Sequence, residues 1–177
     1  MRLKWIVAGL AALALSWTVL SLGNPPWAHD IELEVCGPDT KPANLEFTLK
    51  DASGSDVNLA QYKGQVVLLD FWATWCGPCK VEIPWFVEFQ ERYGSQGLQV
   101  VGVSVDDTAD LLQPFITEMK MNYPVLQGLG HDDLMEAYGP ILGLPVSVLI
   151  SRKGSICMSH TGLVDKDGLE AQIKSLL

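Results

Sequence analysis

Histidine and cysteine are scarce in this 177-residue chain, with three of one and four of the other. His29, His131 and His160 are scattered, and only one Cys-x-x-Cys is present, at Cys76 and Cys79. Structural zinc usually takes four Cys or His ligands, commonly from a second Cys-x-x-Cys or a close His pair. No metal site is therefore expected. Covalent haem attachment needs histidine directly after the second cysteine, where Lys80 stands. Positive charge is also in short supply: 12 Lys and Arg face 21 Asp and Glu, a formal net charge of −9. No basic patch is available for nucleic acid or anionic lipid, so neither is an expected partner. Such acidity is first a solubility feature, although it also favours cationic partners. No internal repeat or low-complexity tract is visible. The length suits one domain of ~140 residues plus a short appendage, enough to bury a sizeable core without disulfides.

What is present is Trp75-Cys76-Gly77-Pro78-Cys79-Lys80, shortly after the apolar run Val66-Val67-Leu68-Leu69 and Asp70-Phe71-Trp72. Two cysteines at the step from a buried strand into a helix form a dithiol that can open and close. Unpaired backbone N–H groups at the helix start favour a thiolate on the first sulfur. A thiolate is the species that attacks a disulfide, so the motif points to thiol–disulfide exchange.

The one long apolar run lies at the N-terminus, from Trp5 to Leu22, behind Arg2 and Lys4. As a helix it reaches ~27 Å, just enough to cross a bilayer with the positive flank inside. Residues 1–23 are thus expected to be a signal peptide or a membrane anchor. Ser21-x-Gly23 is a passable cleavage site, but no Ala-x-Ala is present and no lipoprotein pattern precedes Cys36. Either form places the rest in an oxidising, extracytoplasmic compartment. Residues 24–41 read as a Pro-rich, acidic linker and residues 42–177 as the domain.

Within the domain, Leu45 to Leu49 alternates as a strand, and Val57 to Leu59 returns as a hairpin partner. Gln65 to Phe71 and Leu98 to Val105 read as buried central strands. A helix is expected from Cys76 to Tyr93, kinked at Pro84, with Val81, Trp85 and Phe89 on its apolar face. Further helices are expected at Leu111 to Met121, with Pro114 in its first turn, at His131 to Tyr138, and at Asp165 to Leu177 with Asp165 as N-cap. Val146 to Ile150 and Ser155 to Ser159 form a hairpin. The class is α/β with a mixed sheet.

Taken together, Phe71 to Lys80, Glu82 and Pro84 just after, and Gly143-Leu144-Pro145 before a later strand resemble the thioredoxin fold. More narrowly they resemble the membrane-anchored TlpA/ResA-like thiol–disulfide oxidoreductases, over Asn44 to Leu177. The resemblance implies a central mixed sheet flanked by helices, an N-terminal hairpin and a helical insertion at about 106–142. It implies no cofactor. Cys76 is then the exposed attacking sulfur and Cys79 the more buried resolving one. Gly77 lets a partner backbone approach, and Pro78 stiffens the first turn, where its missing N–H costs nothing. Pro145 is expected to be cis, which lets Leu144 pair with a substrate strand beside Cys76. Trp72 is expected in the core, with Trp75 shielding the sulfur.

Asp70 matches the buried aspartate of thioredoxins, where the ResA-like branch often has asparagine; a buried carboxyl there can take the proton of Cys79. Glu82 matches a carboxylate near the active site of the ResA-like branch. Its alternative is an ordinary exposed helix glutamate, and which carboxylate acts as base stays open. Cys36 and Cys157 remain. In an oxidising compartment two leftover cysteines tend to join; otherwise they are one surface and one buried thiol.

Three functions compete. The first is a reductant of disulfides in exported proteins, as in cytochrome c maturation, fed by a membrane thiol donor; Gly77-Pro78 matches the dipeptide of reducing thioredoxins. The second is a dithiol module holding copper or an apo-cytochrome segment, which lacks nearby Met and His ligands. The third is a thiol peroxidase. That relative needs Thr-x-x-Cys, and Thr74 stands two residues before Cys76, not three.

Overall fold

The structure is a computed structural model and describes residues 36–37 and 40–177. The leader and most of the linker lie outside the described residues. A short hairpin comes first, β1 (Thr48–Lys50) antiparallel to β2 (Asp56–Asn58). Then follow β3 (Val66–Trp72), α1 (Gly77–Tyr93), β4 (Leu98–Ser104), α2 (Ala109–Met119) and β5 (Val125–Gln127). The chain finishes with α3 (Asp132–Ala137), β6 (Val146–Ile150), β7 (Ile156–Thr161) and α4 (Lys166–Leu176). The main sheet has the order β5-β4-β3-β6-β7. β3, β4 and β5 run parallel, while β6 is antiparallel to both β3 and β7. The mixed α/β class with helices against a central sheet is as expected.

β3 is buried at every position, as a strand in the middle of a sheet covered on both faces must be, and Asp70 is its one polar residue. Alternation splits its side chains between two cores. Val66, Leu68 and Trp72 pack with Ile83, Phe86 and Phe89 of α1, Phe115 of α2 and Ile173 of α4. Val67, Leu69 and Phe71 pack on the other face with Leu45, Leu49, Leu59, Leu134 and Tyr138. Fully burying each such side chain stabilises the fold by roughly 1.5–3 kcal/mol.

Several sequence-based boundaries move. The strand expected over Leu45 to Leu49 is confined to Thr48–Lys50, because the Asn44 side chain accepts the Glu46 N–H and turns the chain there. Asn58 ends β2 and caps a 3-10 turn, Leu59–Tyr62, so Leu59 leaves the hairpin. α2 begins two residues before the expected start, which moves Pro114 out of the first turn and into the helix interior. β5 was not expected at all. It is three residues long and is made by its pairing, Gly102 with Val125 through Ser104 with Gln127.

The N-terminal approach is tied to the sheet. Cys36 and Cys157 form a disulfide. Ile156 N–H donates to the Lys41 carbonyl, and Ala43 N–H to the Gly154 carbonyl. From there residues 42–51 cross one face of the sheet, ending at an isolated bridge between Asp51 and Leu126 of β5.

Candidate active site

The site lies at the C-terminal end of β3, where the parallel strands release the chain into α1. Ala73 to Cys76 make the crossing. Cys76 is the N-cap of α1, with Pro78 in the first turn, where proline's missing N–H is no loss. Its sulfur accepts the Cys79 N–H at 3.2 Å. Cys76 and Cys79 are joined as a disulfide. The expected contrast between an exposed first and a buried second sulfur is absent in this oxidised form. Cys76 is 3% exposed and Cys79 1%. The bonded pair lies against the core cluster of Trp72, Ala73 and Ile83, which covers both residues.

Phe71 pairs with Val146, so Pro145 stands at the same end of the sheet as the departing dithiol loop. The Leu144–Pro145 peptide is cis, and the Pro145 carbonyl accepts the Gly162 N–H at 2.8 Å. Leu144 is half-buried and packs on the core cluster that holds both cysteines. Gly77 has no heavy atom near the place a Cβ would occupy, so the surface beside the disulfide is open there. Trp75 is 65% exposed, and its indole N–H donates to both carboxylate oxygens of Asp106. Trp72 is in the core, stacked on Phe115 with ring centroids 5.0 Å apart.

Under α1 the sheet carries polar groups. Asp70 points to the same face as Leu68 and Trp72, flanked in register by Gly102 of β4 and Ser147 of β6. Glu82, one turn beyond Cys79, is fully buried and accepts the Val164 N–H. The exposed-glutamate alternative is therefore excluded. Asp70 Oδ1, Glu82 Oε2, Trp72 Nε1, Tyr123 Oη and Ser147 Oγ are buried without a hydrogen-bond partner. Burial holds the Asp70 carboxyl well above the usual range, and the charge of Glu82 adds to the rise. Burial also lifts Glu82 to about 7, with the Val164 N–H pulling the other way. The Tyr123 hydroxyl is raised by burial and then by the charges of Asp70 and Glu82. These three groups thus feel one another, and at neutral pH the two buried carboxyls can hold protons that ordinary carboxyls have lost.

Ser147 and Tyr123 were not anticipated. Ser147 had a signal, as the one polar residue in Val146–Ile150. Tyr123 had none: its ring packs over the sheet beside Trp72 at residue 102, where glycine leaves room for it. A Cβ there would stand 3.3 Å from the tyrosine ring and 2.9 Å from Trp72 Nε1. Cys157, the second residue of β7, lies at the opposite end of the sheet from Pro145, so the second disulfide is remote from the first.

A helix-capping disulfide, a cis-proline on the neighbouring strand and a mixed five-stranded sheet define a thioredoxin-fold dithiol oxidoreductase. The chain belongs to the AhpC/TSA family, whose model matches residues 41–159. It is similar to the thiol-disulfide oxidoreductase ResA of Bacillus cereus, with 30% identity over 130 residues, 73% of this chain and 74% of that one. The ResA of Geobacillus kaustophilus is 31% identical over 133 residues, 74% of each. Among solved structures, a thiol:disulfide interchange protein of the thioredoxin family from Chlorobium tepidum superposes with a TM-score of 0.69. It is 27% identical and covers 78% of this chain and 99% of its own. The chain is a thiol–disulfide oxidoreductase of this ResA-like kind.

Proposed function

We propose that the protein reduces disulfides of extracytoplasmic proteins, as in cytochrome c maturation, through the Cys76–Cys79 dithiol. The observation that carries this is a cysteine pair capping a helix above two buried carboxyls with raised pKa values. The Cys76 thiolate attacks one sulfur of a client disulfide, forming a mixed disulfide and releasing the first client thiolate, which takes up a proton. Cys79 then loses its proton and attacks the Cys76 sulfur. That closes the Cys76–Cys79 disulfide and releases the second client thiol. Two electrons pass to the client. A membrane thiol donor returns two electrons to reopen the pair.

Asp70 or Glu82 receives the Cys79 proton. The exposed Trp75, the open surface at Gly77 and Pro78, and the Leu144–Pro145 segment receive the client backbone. The export reading is supported by the leader motif and by the Cys36–Cys157 disulfide, since such bonds persist in oxidising compartments. No helix among the described residues is long and apolar enough to cross a membrane; the apolar run within residues 1–23 is the segment we propose attaches the chain.

Insulin-disulfide reduction, measured beside hydrogen-peroxide turnover and copper titration, tests the proposal. Reduction of insulin dependent on both cysteines, with neither of the other activities, is the expected result. Peroxide turnover at a comparable rate, or tight copper binding without reduction, would overturn it.

A further inference from the structure

The loop that carries Cys76 is only residues 73–76, and two consecutive aspartates just past β4 grip it. β3 and β4 stay in step beyond the sheet, with Val105 N–H donating to the Trp72 carbonyl at 2.9 Å. Asp107 then turns inward and is buried. Its Oδ2 accepts the Thr74 N–H at 2.8 Å and the Ser104 hydroxyl at 2.5 Å, and its Oδ1 accepts the Thr74 hydroxyl at 2.6 Å. Asp106 takes the indole N–H of Trp75, the next residue along. Adjacent aspartates thus fasten the two residues immediately before the reactive sulfur.

Both Asp107 oxygens accept, and the carboxylate makes all three bonds charge-assisted; asparagine removes the charge and reverses the bond to the Thr74 hydroxyl. The first turn of α1 carries no acidic residue and is capped by the Cys76 sulfur itself. When the disulfide opens, a Cys76 thiolate is stabilised by the orientation of that cap toward the Cys79 N–H, 3.2 Å away.

We propose that Asp107, acting through Thr74, is a positioning residue for the thiol chemistry: its clasp keeps the Cys76 sulfur aligned with the first turn of α1, so that the thiolate forms near neutral pH. Asp106 extends the clasp to Trp75. This rests on the reading of Cys76 as the attacking sulfur.

Two effects of removing Asp107 oppose each other. Loss of a negative charge lowers the Cys76 thiol pKa, whereas loss of alignment raises it. Thr74→Val separates them, because it deletes one clasp bond and leaves the charge. Thr74→Ser keeps the hydroxyl and serves as rescue. The experiment is the pH dependence of iodoacetamide alkylation of the reduced protein, with the labelled cysteine identified by peptide mass spectrometry and the melting temperature measured alongside. The expected result is a higher alkylation midpoint in Thr74→Val and Asp107→Asn, restored in Thr74→Ser. A shift of about half a unit means roughly threefold less thiolate below the midpoint. A lower midpoint in Asp107→Asn with none in Thr74→Val would reduce the effect to charge and overturn the proposal. So would lower melting temperatures with unmoved midpoints. Should Asp107→Asn fail to fold, Thr74→Val decides alone. If Cys79 is labelled first in the unaltered protein, the reading of Cys76 fails instead, and the labelled peptide tells the two failures apart.

Discussion

Asp70 and Glu82 come from a strand and a helix and are both buried close enough to feel each other's charge, each carrying an oxygen with no partner. Their raised pKa values have a stability consequence and a kinetic one. For stability, the folded protein holds a proton on Glu82 up to about 7, while the unfolded chain releases it near 4.5. Stability therefore falls as pH rises through that window, because the unfolded state binds fewer protons there. Glu82→Gln should flatten the fall, and urea unfolding at pH 5 and pH 8 will show it as a smaller difference between the two midpoints. For kinetics, Asp70→Asn keeps the shape and removes a base. Client release should slow most near neutral pH and recover at high pH, where Cys79 ionises unaided. Stopped-flow release measured on Asp70→Asn and Glu82→Gln in parallel assigns the base. A pH profile unchanged in the first and shifted in the second assigns it to Glu82.

At the scale of elements, α4 and α1 are coupled through one short segment. Asp165 caps α4 by accepting the Gly168 N–H, and its neighbour Val164 donates to Glu82 on α1. Asp165→Ala should cost about 1 kcal/mol of stability. It should also raise the Glu82 pKa further, since the Val164 N–H is what holds that pKa down. Denaturant unfolding and the pH dependence of stability check the two parts separately. The same scale shows what sequence patterns convey. β3 was legible because a strand covered on both faces is nearly all apolar, with Asp70 its one polar residue; α1 was legible as a helix, but its buried face runs through Ile83, Phe86 and Phe89, and Val81 of the expected face is exposed. β5 was hidden because three residues after a proline carry no period, and only pairing with β4 makes them a strand. The Leu45 strand was overdrawn because alternation does not register a side-chain turn at Asn44. In the site, the dithiol was legible from spacing alone, and the cis bond at Pro145 only through the resemblance. The meeting of Asp70, Glu82 and Tyr123 depends on helix-on-sheet packing over Gly102, which no local pattern encodes.

For the whole molecule, two disulfides occupy opposite ends of the sheet and have different surroundings. Cys76–Cys79 closes a ring within one helical turn, whereas Cys36–Cys157 spans a sequence separation of 121. Closing so long a loop restricts the unfolded chain by about 4–5 kcal/mol on the chain-entropy model, an upper value. A Cys36→Ser, Cys157→Ser double variant should lose up to that much stability in guanidinium unfolding and keep its insulin-reducing activity when folded. A well-folded double variant without activity would contradict a structural role for the bridge.

The central claim is that Cys76 attacks and Cys79 resolves, and trapping of the mixed disulfide measures it most directly. Cys79→Ser and Cys76→Ser are each incubated with disulfide-containing protein substrates, quenched in acid, alkylated and run without reductant. Client adducts that vanish on reduction are expected in Cys79→Ser and none in Cys76→Ser. Equal trapping by both variants, or trapping by Cys76→Ser alone, would contradict it.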